Sequence, residues 1–168
     1  MKSQKSIRSK STRFAMSSWV AALALVTTAI TVPSRAQQAV PGRVDVVSSR
    51  GFSATVDAVT TALKKEGMMV VATIDHQNML RMVGASIKGA KTIEFGKPDM
   101  GKTLLPMAAE VGLEMPGKIY VWERGDGATV ISYRKVEPLY ASYGKPQVAE
   151  AGKMMDMMIQ NLIHAAAK

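Results

Sequence analysis

The chain has 168 residues, with 22 Lys and Arg against 13 Asp and Glu, a formal charge of +9 and no cysteine. That length allows one domain behind a leader. The missing thiols exclude disulfides, a cysteine nucleophile, covalent c-type haem attachment and thiolate zinc or iron–sulfur sites. A charge this high suggests a nucleic-acid partner only until its distribution is read.

Lys2, Lys5, Arg8, Lys10 and Arg13 make a basic head, residues 14–34 carry no charge, and the most apolar part is 19–32. Ser34-Arg35-Ala36 then places small residues at the two positions a signal peptidase reads. Residues 1–36 are therefore expected to be a cleaved Sec-type signal peptide, with Gln37 as the mature start and a periplasmic or secreted destination. A retained anchor is the alternative, because about 20 uncharged residues just span a bilayer. Ser17, Ser18, Thr27, Thr28 and Thr31 dilute the stretch and favour cleavage. The leader holds six of the 22 basic residues and no acid, which leaves 16 bases against 13 acids, with no basic block beyond Lys64-Lys65. The charge excess belongs to export, so the mature chain is expected to engage no nucleic acid and, after cleavage, no membrane.

Residues 37–43 read as a flexible lead-in, and the β-branched run 44–48 as the first strand. Ser53 is placed to cap a helix carrying Val56, Val59 and Leu63 on one face, with Gly67 as its left-handed C-terminal stop. The almost unbroken apolar run 68–74 reads as a buried strand closed by Asp75-His76, followed by a helical turn over 77–83. Residues 92–95 form the next strand, with Ile93 and Phe95 on one face. The stretch 101–111 reads as helix, cut into pieces by Pro106, and Met115-Pro116-Gly117 as a turn. Runs 118–123 and 128–134 alternate around Arg124-Gly125-Asp126-Gly127, the strongest hairpin signal of the chain. After a connector over 138–143, Pro146 opens a last helix running to about Ala166. Its expected core stripe is Val148, Ala151, Met155, Met158, Leu162 and Ala166. Two one-faced helices among antiparallel strands predict an α+β fold over 44–168: one mostly antiparallel sheet with helices packed on one face.

Five short motifs stand in register: Ile74-Asp75-His76; Phe95-Gly96-x-Pro98 followed by Gly101; Leu113-x-x-Pro116; Val121-Trp122-Glu123; and Ser132-Tyr133. In their order and spacing, residues 44–165 resemble the bacterial family called domain of unknown function 302. The resemblance implies a β-α-β4-α layout similar to the TATA-binding-protein-like fold, assembly as a homodimer, and no established activity. Lys97 stands where that family often carries Asn, and Lys102 where it carries a small or hydroxylated residue.

Those two lysines produce the one motif that points to chemistry. Residues 96–103 fit G-x-x-x-x-G-K-[ST], the loop that aims backbone N–H groups at phosphates. Several features oppose that reading. An exported protein meets essentially no nucleotide pool, Pro98 removes a donor, and Pro106 interrupts the supporting helix. The only run resembling a second carboxylate motif, 70–75, precedes the loop. The match is read as coincidental, and no enzyme activity is expected.

The remaining candidates describe a binding site. Asp75 and His76 sit at a strand exit, where ligand groups gather; a hydrogen-bonded strand end is the plainer reading. The turn Phe95, Gly96, Lys97, Pro98, the pair Trp122 and Glu123, and Tyr133 complete the candidate ligand-binding set. Tyr120, Trp122 and Tyr133 form the main aromatic cluster, which serves packing as readily as a ligand platform. Methionine is abundant, at 13 residues. Thioethers select Cu(I), so His76, Met79 and Met82 are a candidate metal set, with Met154, Met155, Met157 and Met158 a second; the plainer role of Met is core filling. The expectation is an exported, non-catalytic, homodimeric domain that binds a small ligand and has no cofactor. A periplasmic copper- or haem-binding protein using His76 and Met ligands is the alternative.

Overall fold

The computed structural model describes residues 40–168. The expected signal peptide 1–36 and the start of the lead-in lie outside the described residues. Residues 41–42 form a turn: the Val40 carbonyl accepts from Arg43 N, and the Gly42 carbonyl from Lys135 N.

Five strands, β1 (Arg43–Val47), β2 (Met69–Asp75), β3 (Ala90–Gly96), β4 (Gly117–Glu123) and β5 (Thr129–Arg134), form one sheet in the order β1-β5-β4-β3-β2. Every neighbouring pair is antiparallel. The long helices are α1 (Phe52–Lys65) and α5 (Pro146–Ala166). Short helices α2 (His76–Met82), α3 (Pro98–Leu104) and α4 (Glu137–Ala141) and a 3₁₀ turn (Ala109–Glu114) fill the connections. This is the expected β-α-β4-α order with the helical insertions resolved.

Val59 and Leu63 of α1 and Met155, Ile159, Leu162 and Ile163 of α5 pack on Ile93, Phe95, Ile119, Val121, Ile131 and Tyr133 of the three central strands. Strand alternation puts these sheet residues on one face, and each fully buried side chain contributes about 1.5–3 kcal/mol. A second cluster joins Leu104, Val111 and Tyr140 to Val148 and Ala151 near the start of α5.

Several local expectations change. The α1 N-cap is Gly51, without a side-chain cap, in place of Ser53. Thr55 is buried there, its hydroxyl donating to the Gly51 carbonyl at 3.0 Å. Gly67 does end α1 at φ +70°. β2 is an edge strand and not a buried one: Met69 and Val71 are 60% and 62% exposed. An apolar run alone cannot separate these two cases. On α5, Ile159 replaces Met158 in the fully buried stripe, while Met154 and Met157 are exposed. Helix begins at Pro98, before the expected 101, because proline suits a first helical turn.

Candidate functional site

The sheet face opposite α1 and α5 carries a strip of polar and aromatic side chains across its strands. Pairing aligns Asp45, Ser132, Tyr120 and Thr92 on this face. The Trp122 indole N–H donates to Ser132 Oγ at 2.9 Å, the Ser132 hydroxyl donates to Asp45 Oδ1 at 2.6 Å, and Arg43 Nε donates to the same oxygen at 2.9 Å. Burial opposes ionisation of Asp45, but the bonds from Ser132 and Arg43 win and hold its carboxyl below the ordinary carboxylate range. Tyr120 stacks with Trp122 at 6.4 Å, and His76 meets Tyr120 edge-on at 5.8 Å. His76 Nε2 lies 2.7 Å from Thr92 Oγ1, and the imidazole tautomer decides which atom donates.

At one end of the sheet a cleft of about 210 Å³ opens toward the core. Met69, Val71, Phe95, Met100, Met155 and Ile159 give it apolar walls, and Met115-Pro116, joined by a cis peptide, forms a lip. Met100 and Val136 touch both hydrophobic clusters, so the cleft marks the seam where the two fail to fuse. Gly117 makes its floor possible: a Cβ there would lie 2.6 Å from Phe95 Cζ. Lys118 and Arg134 line both this cleft and a shallower groove, about 550 Å³, on the open sheet face.

The sequence-derived candidates separate into three places. Phe95, Gly96, Lys97 and Pro98 line the cleft together. His76 and Trp122 share the aromatic strip, with Tyr120 between them. Asp75, Glu123 and Tyr133 are each engaged in holding the fold, so the structure does not bring the nine residues to one place. Asp75 Oδ1 caps α2 by accepting from Asn78 N at 2.8 Å. That bond outweighs the opposing effect of burial and, with Lys91, keeps its carboxyl below the ordinary range. Glu123 Oε2 accepts from Gly89 N at 2.7 Å. Tyr133 is buried among the core residues, and burial, with the Asp156 charge next, pushes its phenol up.

His76, Met79 and Met82 follow each other along the short helix α2, with Met79 and Met82 exposed. Among the described residues, no three His, Cys, Asp or Glu side chains converge in a manner able to hold a metal ion. The phosphate-loop match falls on a helix: residues 98–104 are α3, Met100 N and Gly101 N donate to the Lys97 carbonyl, and Thr103 Oγ1 donates to the Asp99 carbonyl. A cradle needs these N–H groups free.

Sequence reading missed Asp45, Thr92, Arg43, Met100, Met115, Lys118 and Arg134. Alternation along β4 carries a signal for part of this, since Lys118, Tyr120 and Trp122 must share a face. The rest depends on strand order.

Among proteins of known description, the chain is similar to Fluoride-specific ion channel FluC 1 of Brucella suis biovar 1, 30% identical over 86 residues, which are 51% of this chain and 34% of that protein. FluC 1 of Brucella abortus biovar 1 and FluC 2 of Brucella melitensis biotype 1 match over the same length at the same identity, with 32% of each protein covered. The chain thus spans about a third of the curated relatives it matches. Among solved structures, an uncharacterized conserved DUF302 protein from Bacillus stearothermophilus superposes with a TM-score of 0.69 at 20% identity, covering 76% of this chain and 98% of that one. This likeness shows the fold. The model of the domain of unknown function DUF302 matches residues 44–165, and the chain belongs to that family.

Proposed function

We propose that this is an exported, non-catalytic binding domain whose site is the cleft at the sheet end, and that it takes a small ligand with an apolar body. The observation that carries this reading is a seam between two hydrophobic clusters, open to solvent and walled by apolar side chains. Drug-sized ligands occupy clefts of about 300–1,000 Å³. A volume of about 210 Å³ suits something smaller or a single chain. No catalysis is proposed because the cleft is lined by no serine or threonine nucleophile and no histidine, and its one carboxylate, Glu114, accepts from the Tyr143 hydroxyl. Export rests on the basic head, uncharged stretch and cleavage site of residues 1–36. Exposed Met69 and Val71 on edge strand β2 support self-association as a homodimer, which sedimentation equilibrium at twice the monomer mass would bear out. Ion conduction is not carried over from the fluoride channels: among the described residues no helix is long and apolar enough to cross a membrane.

Gly101 offers the test. It lines the cleft, its φ is not positive, and a Cβ there meets no atom within 4 Å. Gly101→Phe is expected to fold as well as wild type and to abolish the fluorescence gain of the neutral reporter N-phenyl-1-naphthylamine. A wild type that does not bind the reporter, or a variant that binds it equally well, overturns the reading.

A further inference from the structure

The cleft and the groove meet at two cations. Lys118 is the second residue of β4 and Arg134 closes β5, and both residues line both spaces. Arg134 has no carboxylate within ion-pairing distance among the described residues; its only side-chain bond is a 3.3 Å contact from Nη1 to the Pro41 carbonyl. Lys118 is loosely paired, with Nζ 3.6 Å from Glu94 Oε1 and its side chain 65% exposed. The one acid lining both spaces, Glu114, is engaged by the Tyr143 hydroxyl at 2.8 Å. The rim therefore presents an arginine fork and an ammonium with unspent donors, directly above apolar walls.

Such a combination selects an amphiphile of one polarity. A guanidinium matches the two oxygens of a carboxylate in plane. The walls formed by Val71, Phe95, Met100, Met155 and Ile159 match an unbranched hydrocarbon, with methionine adapting to its shape. We infer that the ligand is a free, medium-chain aliphatic monocarboxylate, its chain in the cleft and its carboxylate at Arg134 and Lys118. This rests on the cleft being the binding site and adds the charge and class of what binds there. A cationic amphiphile is disfavoured by both rim groups. A volume of about 210 Å³ leaves no room for the two chains of a phospholipid.

Competition against N-phenyl-1-naphthylamine tests this. Decanoate is expected to displace the reporter at a concentration at least about tenfold lower than decanol, the margin of a charge-assisted hydrogen bond. Decyltrimethylammonium is expected to compete no better than decanol. In Arg134→Gln and Lys118→Met, competition is read relative to each variant's own reporter affinity. The preference for decanoate over decanol should shrink in each and vanish in the double variant. If the reporter fails to bind wild type, the cleft reading itself falls. If the reporter binds but decanoate and decanol compete equally, or the preference survives in the double variant, only the carboxylate inference falls. Retention of the protein on phosphatidylglycerol vesicles, with no displacement by decanoate, would likewise overturn it in favour of a lipid surface.

Discussion

Replacing Gly117 by alanine adds one carbon at the point where β4 begins and the cleft floor lies. The new Cβ would stand 2.6 Å from Phe95 Cζ and 3.0 and 3.1 Å from its two ε carbons. Phe95 is only 2% exposed, so the ring cannot swing into solvent and must shift within the core. Overpacking of this kind costs about 1–3 kcal/mol. Gly117 has no positive φ, so no backbone strain is added. Loss of glycine's unfolded-state entropy offsets about 0.4–1 kcal/mol. The net expectation is about 1–2 kcal/mol of destabilisation, which for a domain of this size lowers Tm by roughly 4–8 °C. Reporter affinity should fall as well, because Phe95 is a cleft wall. Trimming the ring supplies the decisive control. Phe95→Leu alone should destabilise, but Gly117→Ala added to it should cost less than in wild type, a coupling readable in a double-mutant cycle by thermal melts. An unchanged Tm for Gly117→Ala, or strict additivity of the two changes, would refute the contact between this backbone and this ring.

Asp156→Ala should destabilise by about 2–4 kcal/mol in urea melts. Its nine-tenths-buried carboxylate accepts from Val136 N at 2.8 Å and Glu137 N at 3.1 Å, and so holds α4 to α5. Asp45→Asn tests the strip across the open face. Since the folded carboxyl is held below its ordinary value, its stabilisation is complete above the unfolded pKa of about 3.9 and is lost as pH falls through the lowered folded pKa. The Asn variant should be the less stable at neutral pH by circular dichroism, and the gap should close as pH falls below the unfolded pKa of about 3.9. A constant gap at all pH values would separate the defect from ionisation. Protein recovered from the periplasm should have the mass of the chain from Gln37; full-length protein in the membrane fraction would mean that the leader is retained as an anchor.

Legibility in the sequence followed the range of the interactions. The α5 stripe, the Gly67 stop and the 124–127 hairpin were readable because helix periodicity and turn chemistry are local, and all three appear in the structure. Residues 68–74 misled because a run of apolar side chains looks the same in a buried strand and in an edge strand with one bare face. Only the sheet order β1-β5-β4-β3-β2 distinguishes them. The grouping of the candidate site residues depends on the same order. His76 and Trp122 are brought together through Tyr120, whereas Asp75 caps α2 and Glu123, which strand alternation turns away from Trp122, accepts from Gly89 N. Asp45 and Ser132 are 87 positions apart and meet only through β1–β5 pairing. Arg134 and Lys118 acquired meaning only when two strand ends came together beside the cleft.

The cleft is a consequence of unequal lengths. α5 has 21 residues, about 31 Å at 1.5 Å per residue. β5, the strand just before it in sequence, has six residues, about 20 Å at 3.3 Å each. The C-terminal end of α5 is pinned near the start of the sheet, where the Ala167 carbonyl accepts from Ser49 N at 2.8 Å. α5 is longer than β5 by about 10 Å. Val148 and Ala151, near the start of α5, pack in a cluster that contains no strand residue. Leu104 of α3, Val111 of the 3₁₀ turn and Tyr140 of α4 supply the cover. These segments are irregular, and Pro98, Pro106, Pro116 and Pro138 divide them. They cannot close against the sheet edge as evenly as a strand would. A solvent-open seam at Phe95, Met100, Met115 and Met155 follows, and its methionines, Met69 among them, can adapt to a ligand.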